Sequence, residues 1–160
     1  MKIQELLRRN KVPFEILKHS AGASLASLAD DGKISAGELA QVTLLKADHG
    51  YRYMLAVAAL ARPLELRFAT RALEGCDLTP ASDIEQVQFC PDCEAGGLMP
   101  FGSHYNVRTL LDQSLAKESS IAFEEIDGTA AIRMKVADFR EMEHPLVMPL
   151  TLESYESVGH

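Results

Sequence analysis

Val42-Thr43-Leu44-Leu45-Lys46 and the run from Tyr51 to Ala58 are the most strand-like stretches of the chain, with Asp48-His49-Gly50 between them. Aliphatic and β-branched side chains suit a pleated, half-buried surface, and a short polar segment ending in glycine closes a tight connection. The pair reads as a β-hairpin. Upstream of it, Ile3, Leu6 and Leu7 recur at helical spacing until Pro13 stops the helix. Phe14-Glu15-Ile16-Leu17 then alternates as a short strand, and Ser20 to Ala29 predicts a helix capped by Ser20 or Ser24. Asp30-Asp31-Gly32-Lys33 is a turn, and Ser35-Ala36-Gly37-Glu38 carries the Ser-x-x-Glu spacing of a capping box.

Downstream, Pro63 opens a helical segment with Leu64, Leu66, Phe68 and Leu73 that Gly75 ends. Pro80 starts a short helix over Ala81 to Val87. Val107 to Leu111, Ile121 to Phe123 and Ala130 to Met134 read as strands, and Val136 to Met142 as a closing helix. His144 to His160 holds two prolines and little periodicity, which predicts a surface tail. The expected division is one domain over 1–143 and a C-terminal tail over 144–160. Strands that come in pairs, as well as alternating with helices, place the fold in the α/β (α+β) class. A single-domain mixed sheet wrapped by helices fits this order better than a doubly wound parallel sheet.

With 160 residues, 47% hydrophobic and 24% charged, the chain can bury a full core. No apolar run approaches a membrane span, and the N-terminus continues into a charged amphipathic pattern unlike a signal peptide. Three cysteines give no even disulfide framework, so a cytoplasmic location is the default. A net charge of −7 argues against indiscriminate nucleic-acid binding. An RNA-binding role therefore needs a local basic patch, for which Lys46, Arg52 and Arg108 are the candidates.

The densest cluster of special residues runs from Cys90 to Gly102, with three glycines and two prolines. Glycine lets a backbone approach a ligand closely, so such a loop is either a structural crossover or a site. Cys90-Pro91-Asp92-Cys93 has the spacing of zinc knuckles and redox motifs. A four-ligand zinc site needs a second pair, and only Cys76 and His104 remain, at irregular spacing. A redox motif sits at a helix N-terminus, whereas this one leads into glycines, which leaves inert thiols as the simplest reading. No phosphate-binding glycine motif, Walker loop or nucleophile elbow is present, so no cofactor is expected. Asp112, a lone carboxylate after an apolar strand, suits a turn or cap as well as a base. His19 and His104 are single histidines in loops.

Taken together, Leu39 to Lys46, Tyr53 to Val57, Phe89 to Gly102, Val107 to Leu115 and Ala131 to Met134 resemble the YbaK/EbsC superfamily. That superfamily includes the editing domain associated with bacterial prolyl-tRNA synthetases, and the similarity spans roughly residues 13 to 142. Gly96 and Pro100 match the family's Gly-x-x-x-Pro loop, and Leu111-Asp112-Gln113-Ser114-Leu115 is similar to its Val-Asp-x-Ser-Leu segment. The resemblance implies an aminoacyl-tRNA deacylase that hydrolyses the ester of a mischarged tRNA carrying a small amino acid. Such editing answers a physical need, because a synthetase pocket rejects a smaller side chain only weakly. In the family no side chain acts as nucleophile; loop amides hold the ester carbonyl while a ribose hydroxyl of the tRNA helps activate water.

Carried onto this chain, the resemblance makes Gly96, Gly97, Leu98, Met99 and Pro100 the catalytic loop, with Gln41, Gly102 and Asp112 as substrate contacts. It implies the acceptor end of aminoacyl-tRNA as ligand, with an aminoacyl-tRNA synthetase as a further partner and no metal, membrane or DNA. One departure stands out. The family carries a lysine at the start of its second strand, where this chain has Gln41. Glutamine hydrogen-bonds but supplies no charge, so the alternative is an inactive module that keeps the pocket for binding.

Overall fold

The computed structural model describes residues 2–19, 25–30, 32, 34–47, 52–91, 98–126 and 128–152. The hairpin forms as expected. Strands β2 (Ala40–Ala47) and β3 (Arg52–Ala59) pair antiparallel from Ala40↔Ala59 to Ala47↔Arg52. Their connection at Asp48-His49-Gly50 lies outside the described residues, as do the expected caps Ser20 and Ser24.

A mixed sheet grows outward from this hairpin in the order β4-β2-β3-β5-β8. β4 (Leu78–Pro80) joins β2 antiparallel, while β5 (Arg108–Asp112) and β8 (Leu146–Met148) continue in parallel. A second, antiparallel sheet has the order β1 (Glu15–Lys18), β7 (Ala130–Lys135), β6 (Ser120–Glu124). A single bridge, Leu39↔Ala122, links the two. The main core lies between the sheets, where Val57 and Leu111 meet Ile121, Phe123 and Ile132. Strand alternation sends Ala40 and Leu44 toward this side, and Leu45 and Ala47 toward a separate cluster on the other.

Helix α1 (Ile3–Arg9) buries Ile3, Leu6 and Leu7, the three residues whose spacing predicts it. Ile3 N and Gln4 N at its start donate to the Glu125 carboxylate at 2.8 and 3.2 Å, where the helix end favours negative charge. After α2 (Ala26–Asp30), Ser35 N donates to Glu38 at 3.2 Å, as the Ser-x-x-Glu spacing predicts. The other Glu38 oxygen accepts from Arg133 of β7 at 2.8 Å, and this bond holds the guanidinium even more firmly charged.

Three sequence expectations shift. Helix α3 (Arg67–Ala72) starts later than Pro63 suggests, because Leu64 is drawn into a bridge with Thr151 and Glu65 N donates to Leu150 O. Pro80 ends the edge strand β4, a position that needs no further N–H, and Ser82 is the cap of α4 (Asp83–Phe89). Ser82 Oγ accepts from Glu85 N at 3.2 Å and Ser82 N donates to Glu85 at 3.0 Å. Short α5 (Gln113–Ala116) and α6 (Val136–Glu143) complete the set. The third shift concerns the expected surface tail. Its residues 146–148 form β8, and Leu150 and Thr151 beyond it are buried. Three residues are too short to display a periodicity, and their parallel partner on β5 lies far upstream.

Candidate functional site

Of the glycine-rich loop, Leu98 to Gly102 is described, while Gly96, Gly97 and Cys93 lie outside the described residues. Phe101 anchors the loop. Its ring is fully buried, 6.4 Å from Phe123 and 5.8 Å from Phe139. The helical turn Gly102–Tyr105 then folds back, with Gly102 N donating to Thr109 Oγ1 at 2.9 Å and Val107 N to Gly102 O at 2.9 Å. Glu143, at the end of α6, clamps this turn by accepting from Ser103 N, Ser103 Oγ and Thr109 Oγ1.

The turn carries Tyr105 back to the loop, where its hydroxyl accepts from Met99 N at 2.9 Å. Phe89 lies 5.6 Å and His104 5.0 Å from the tyrosine ring. Burial raises the phenol's pKa, against the opposing pull of the Met99 hydrogen bond, so the hydroxyl stays protonated. A folded-state value above the unfolded one means that the associated stability is full below about pH 10 and falls as pH rises beyond it. Urea midpoints of the wild type should therefore drop between about pH 8 and about pH 11 by more than those of Tyr105→Phe. Equal drops would remove Tyr105 as a titrating contributor.

Leu98 and Pro100 line a cavity of about 460 Å³ together with Gln41, Val42, Phe123 and Glu124. Thus the structure brings Gln41 to the loop. Its amide, however, is committed elsewhere, because Gln41 Nε2 donates to Ala59 O and Arg62 O, both at 3.0 Å. Alternation places Gln41 with Leu45 and Ala47, and Val42 with Leu44. Val42 is the side chain that packs against both core clusters containing Leu98, Met99 and Phe101. A side chain projecting from this strand toward the loop thus starts at position 42, which sequence reading passed over.

Two further residues were missed. Glu124 lines the cavity and its Oε1 lies 3.1 Å from His19 Nε2, a contact across 105 residues of sequence. The histidine side chain is 2% exposed and the glutamate 38%. Nothing in the sequence ties the two, since they meet only when β6 and the segment after β1 come together. Glu125 also lines the cavity, but its carboxylate accepts from Ile3 N, Gln4 N and Ile126 N.

Asp112 and Gly102 do not line this cavity. Asp112 is fully buried, accepting from Leu150 N at 2.7 Å through Oδ1 and from Ser114 N and Oγ through Oδ2. It is the cap of α5 and the fastener of the C-terminal segment. The basic candidates separate: Arg52 and Arg108 line another cavity of about 490 Å³, and Lys46 pairs with Glu85 of α4 at 3.0 Å. Cys90 is disulfide-bonded, so the reading of inert thiols does not hold for it, whereas Cys76 is a buried thiol approached by Arg52. Among the described residues no group of three His, Cys, Asp or Glu side chains is gathered for a metal ion. No helix among them is long and apolar enough to cross a membrane.

The sequence profile of the aminoacyl-tRNA editing domain matches residues 19–142. No curated protein matches the sequence. Among solved structures, a hypothetical protein has a TM-score of 0.79 at 15% identity, over 93% of this chain and 98% of its own. A candidate trans-editing enzyme for prolyl tRNA synthetase has a TM-score of 0.75 at 20% identity, over 93% of this chain and 94% of its own. A candidate signal transduction protein from Marinobacter aquaeolei, at 21% identity and a TM-score of 0.66, covers 92% of this chain with 30% of its own length. At such identities these likenesses establish the fold.

Proposed function

Since the chain belongs to the aminoacyl-tRNA editing domain family, we propose that it is a trans-acting deacylase for tRNA mischarged with a small amino acid. The observation that carries this reading is the cavity under the loop, walled by Leu98, Pro100, Val42 and Phe123 and roomy enough for an aminoacyl group. Water adds to the ester carbonyl and the acyl–oxygen bond breaks; one of the water's protons goes to the terminal ribose oxygen, the other to solvent, and the amino acid leaves as its carboxylate. Amides of Gly96, Gly97 and Leu98 hold the carbonyl as it gains charge, while the Met99 amide is given to Tyr105 and Pro100 fixes the end of the loop. Tyr105 supports them by holding the Met99 amide at 2.9 Å. The protein would act in the cytoplasm on the acceptor end, with a synthetase supplying mischarged tRNA.

One observation favours the second reading, a binding module without turnover. Val42 puts an apolar group where a cation from β2 would reach the loop, and the Gln41 amide is bonded to backbone. Both readings meet in one assay, release of the amino acid from alanyl- and cysteinyl-tRNA of the proline acceptor. Turnover by the wild type supports the deacylase, and its absence overturns it. Val42→Lys should raise kcat/KM by about tenfold through a charge-assisted contact, while Gln41→Lys should give no gain. A gain with Gln41→Lys instead would overturn the assignment of faces. Thermal midpoints of both variants check that each is folded.

A further inference from the structure

We propose that the Glu124 carboxylate, positioned by His19, receives the α-ammonium of the aminoacyl group and makes the cavity selective for aminoacyl over neutral acyl esters. The identity of the ligand rests on the deacylase reading. Any such ester carries a cation on the carbon next to its carbonyl. Once the loop holds the carbonyl, the ammonium is fixed nearby, and burying it is costly unless a hydrogen-bond acceptor of opposite charge meets it.

The cavity offers few groups for that task. Leu25, Val42, Leu60, Leu98 and Phe123 are apolar, and none of the described lining residues is lysine or arginine. A cation therefore enters without like-charge repulsion from the walls. Of the two carboxylates, Glu125 is 1% exposed and occupied by the amides at the start of α1. Glu124 sits at the end of β6, next to Phe123, whose ring packs on the loop anchor Phe101. Its side chain is 38% exposed, with the buried His19 fixing Oε1 at 3.1 Å and Oε2 itself buried. That contact presets the carboxylate's direction before the ligand arrives. Gln41 adds to the same polarity: with both amide hydrogens on Ala59 O and Arg62 O, only its acceptor oxygen is left for a ligand.

The test compares alanyl-tRNA with lactyl-tRNA, in which a hydroxyl replaces the ammonium at nearly the same size. The wild type should favour the alanyl ester in kcat/KM by about tenfold, and Glu124→Gln should bring the two within about twofold. An equal loss on both esters would mark Glu124 as structural only, and a wild type indifferent to the ammonium would overturn the proposal outright. If the wild type hydrolyses neither ester, the deacylase reading fails. Affinities for 3′-alanylamido-3′-deoxyadenosine and its lactylamido counterpart then decide this point. A wild-type preference for the cationic analogue that Glu124→Gln abolishes supports the ammonium site, and no preference overturns it.

Discussion

Replacing Gly102 with alanine is expected to destabilise the fold by about 3 kcal/mol or more, read as a lower urea midpoint at unchanged slope. A Cβ at this position would lie 2.5 Å from Val107 O and press against the Thr109 hydroxyl. Neither neighbour can retreat cheaply. Val107 N is bonded to Gly102 O at 2.9 Å, and Thr109 sits on β5, between β3 and β8 in the larger sheet. The turn must open and surrender its bonds, or the strand must shift. Because the same turn carries Tyr105 to Met99, deacylation should fall along with stability. Gly37→Ala is the control. There the added Cβ meets only Glu118 Oε1, at 2.7 Å, the far end of a flexible side chain. Its cost should stay below about 1 kcal/mol, as for an ordinary surface change. Similar costs for the two glycines would show that close approach to backbone is not what Gly102 serves.

The contrast between the two glycines also marks what sequence reading can reach. Elements whose cause is local were legible. Ile3, Leu6 and Leu7 gave α1, the alternating hairpin gave β2 and β3, and Ser35 with Glu38 gave the turn before them. The Ser82–Glu85 cap was equally local and was overlooked because Pro80, a stronger punctuation mark, stands two residues earlier. Features made by long-range contact were not legible. The His19–Glu124 pair, the β5–β8 ladder and the sharing of one cavity by Arg52 and Arg108 need tertiary placement. The choice between Gln41 and Val42 is of the same kind. Alternation shows that neighbours face opposite ways, but only the packing of Leu98 says which way the loop lies.

Asp112 shows the same limit from the opposite side, since a residue matched to a substrate contact is spent on structure. Both carboxylate oxygens are occupied, one by Leu150 N at 2.7 Å and the other by Ser114 N and Oγ. Asp112→Ala should therefore cost about 3 kcal/mol or more, combining a lost cap with a buried Leu150 amide left without its charged acceptor. Asp112→Asn keeps the shape but offers a single acceptor oxygen, so one of the two sides must face an N–H with an N–H. It should cost about 2 kcal/mol, between alanine and wild type. The effect should be concentrated at the C-terminal end of the chain. Among the described residues, 146–148 pair only with β5, and Leu150 lies under the helix α3 side of the larger sheet. Hydrogen exchange at Leu150 and Met148 should accelerate in Asp112→Asn before that of β2 and β3 changes. Deacylation per folded molecule should stay within about twofold of wild type, because Asp112 does not reach the cavity. A loss of activity in Asp112→Asn with Leu150 still protected would return Asp112 to the substrate and remove the structural role argued for it.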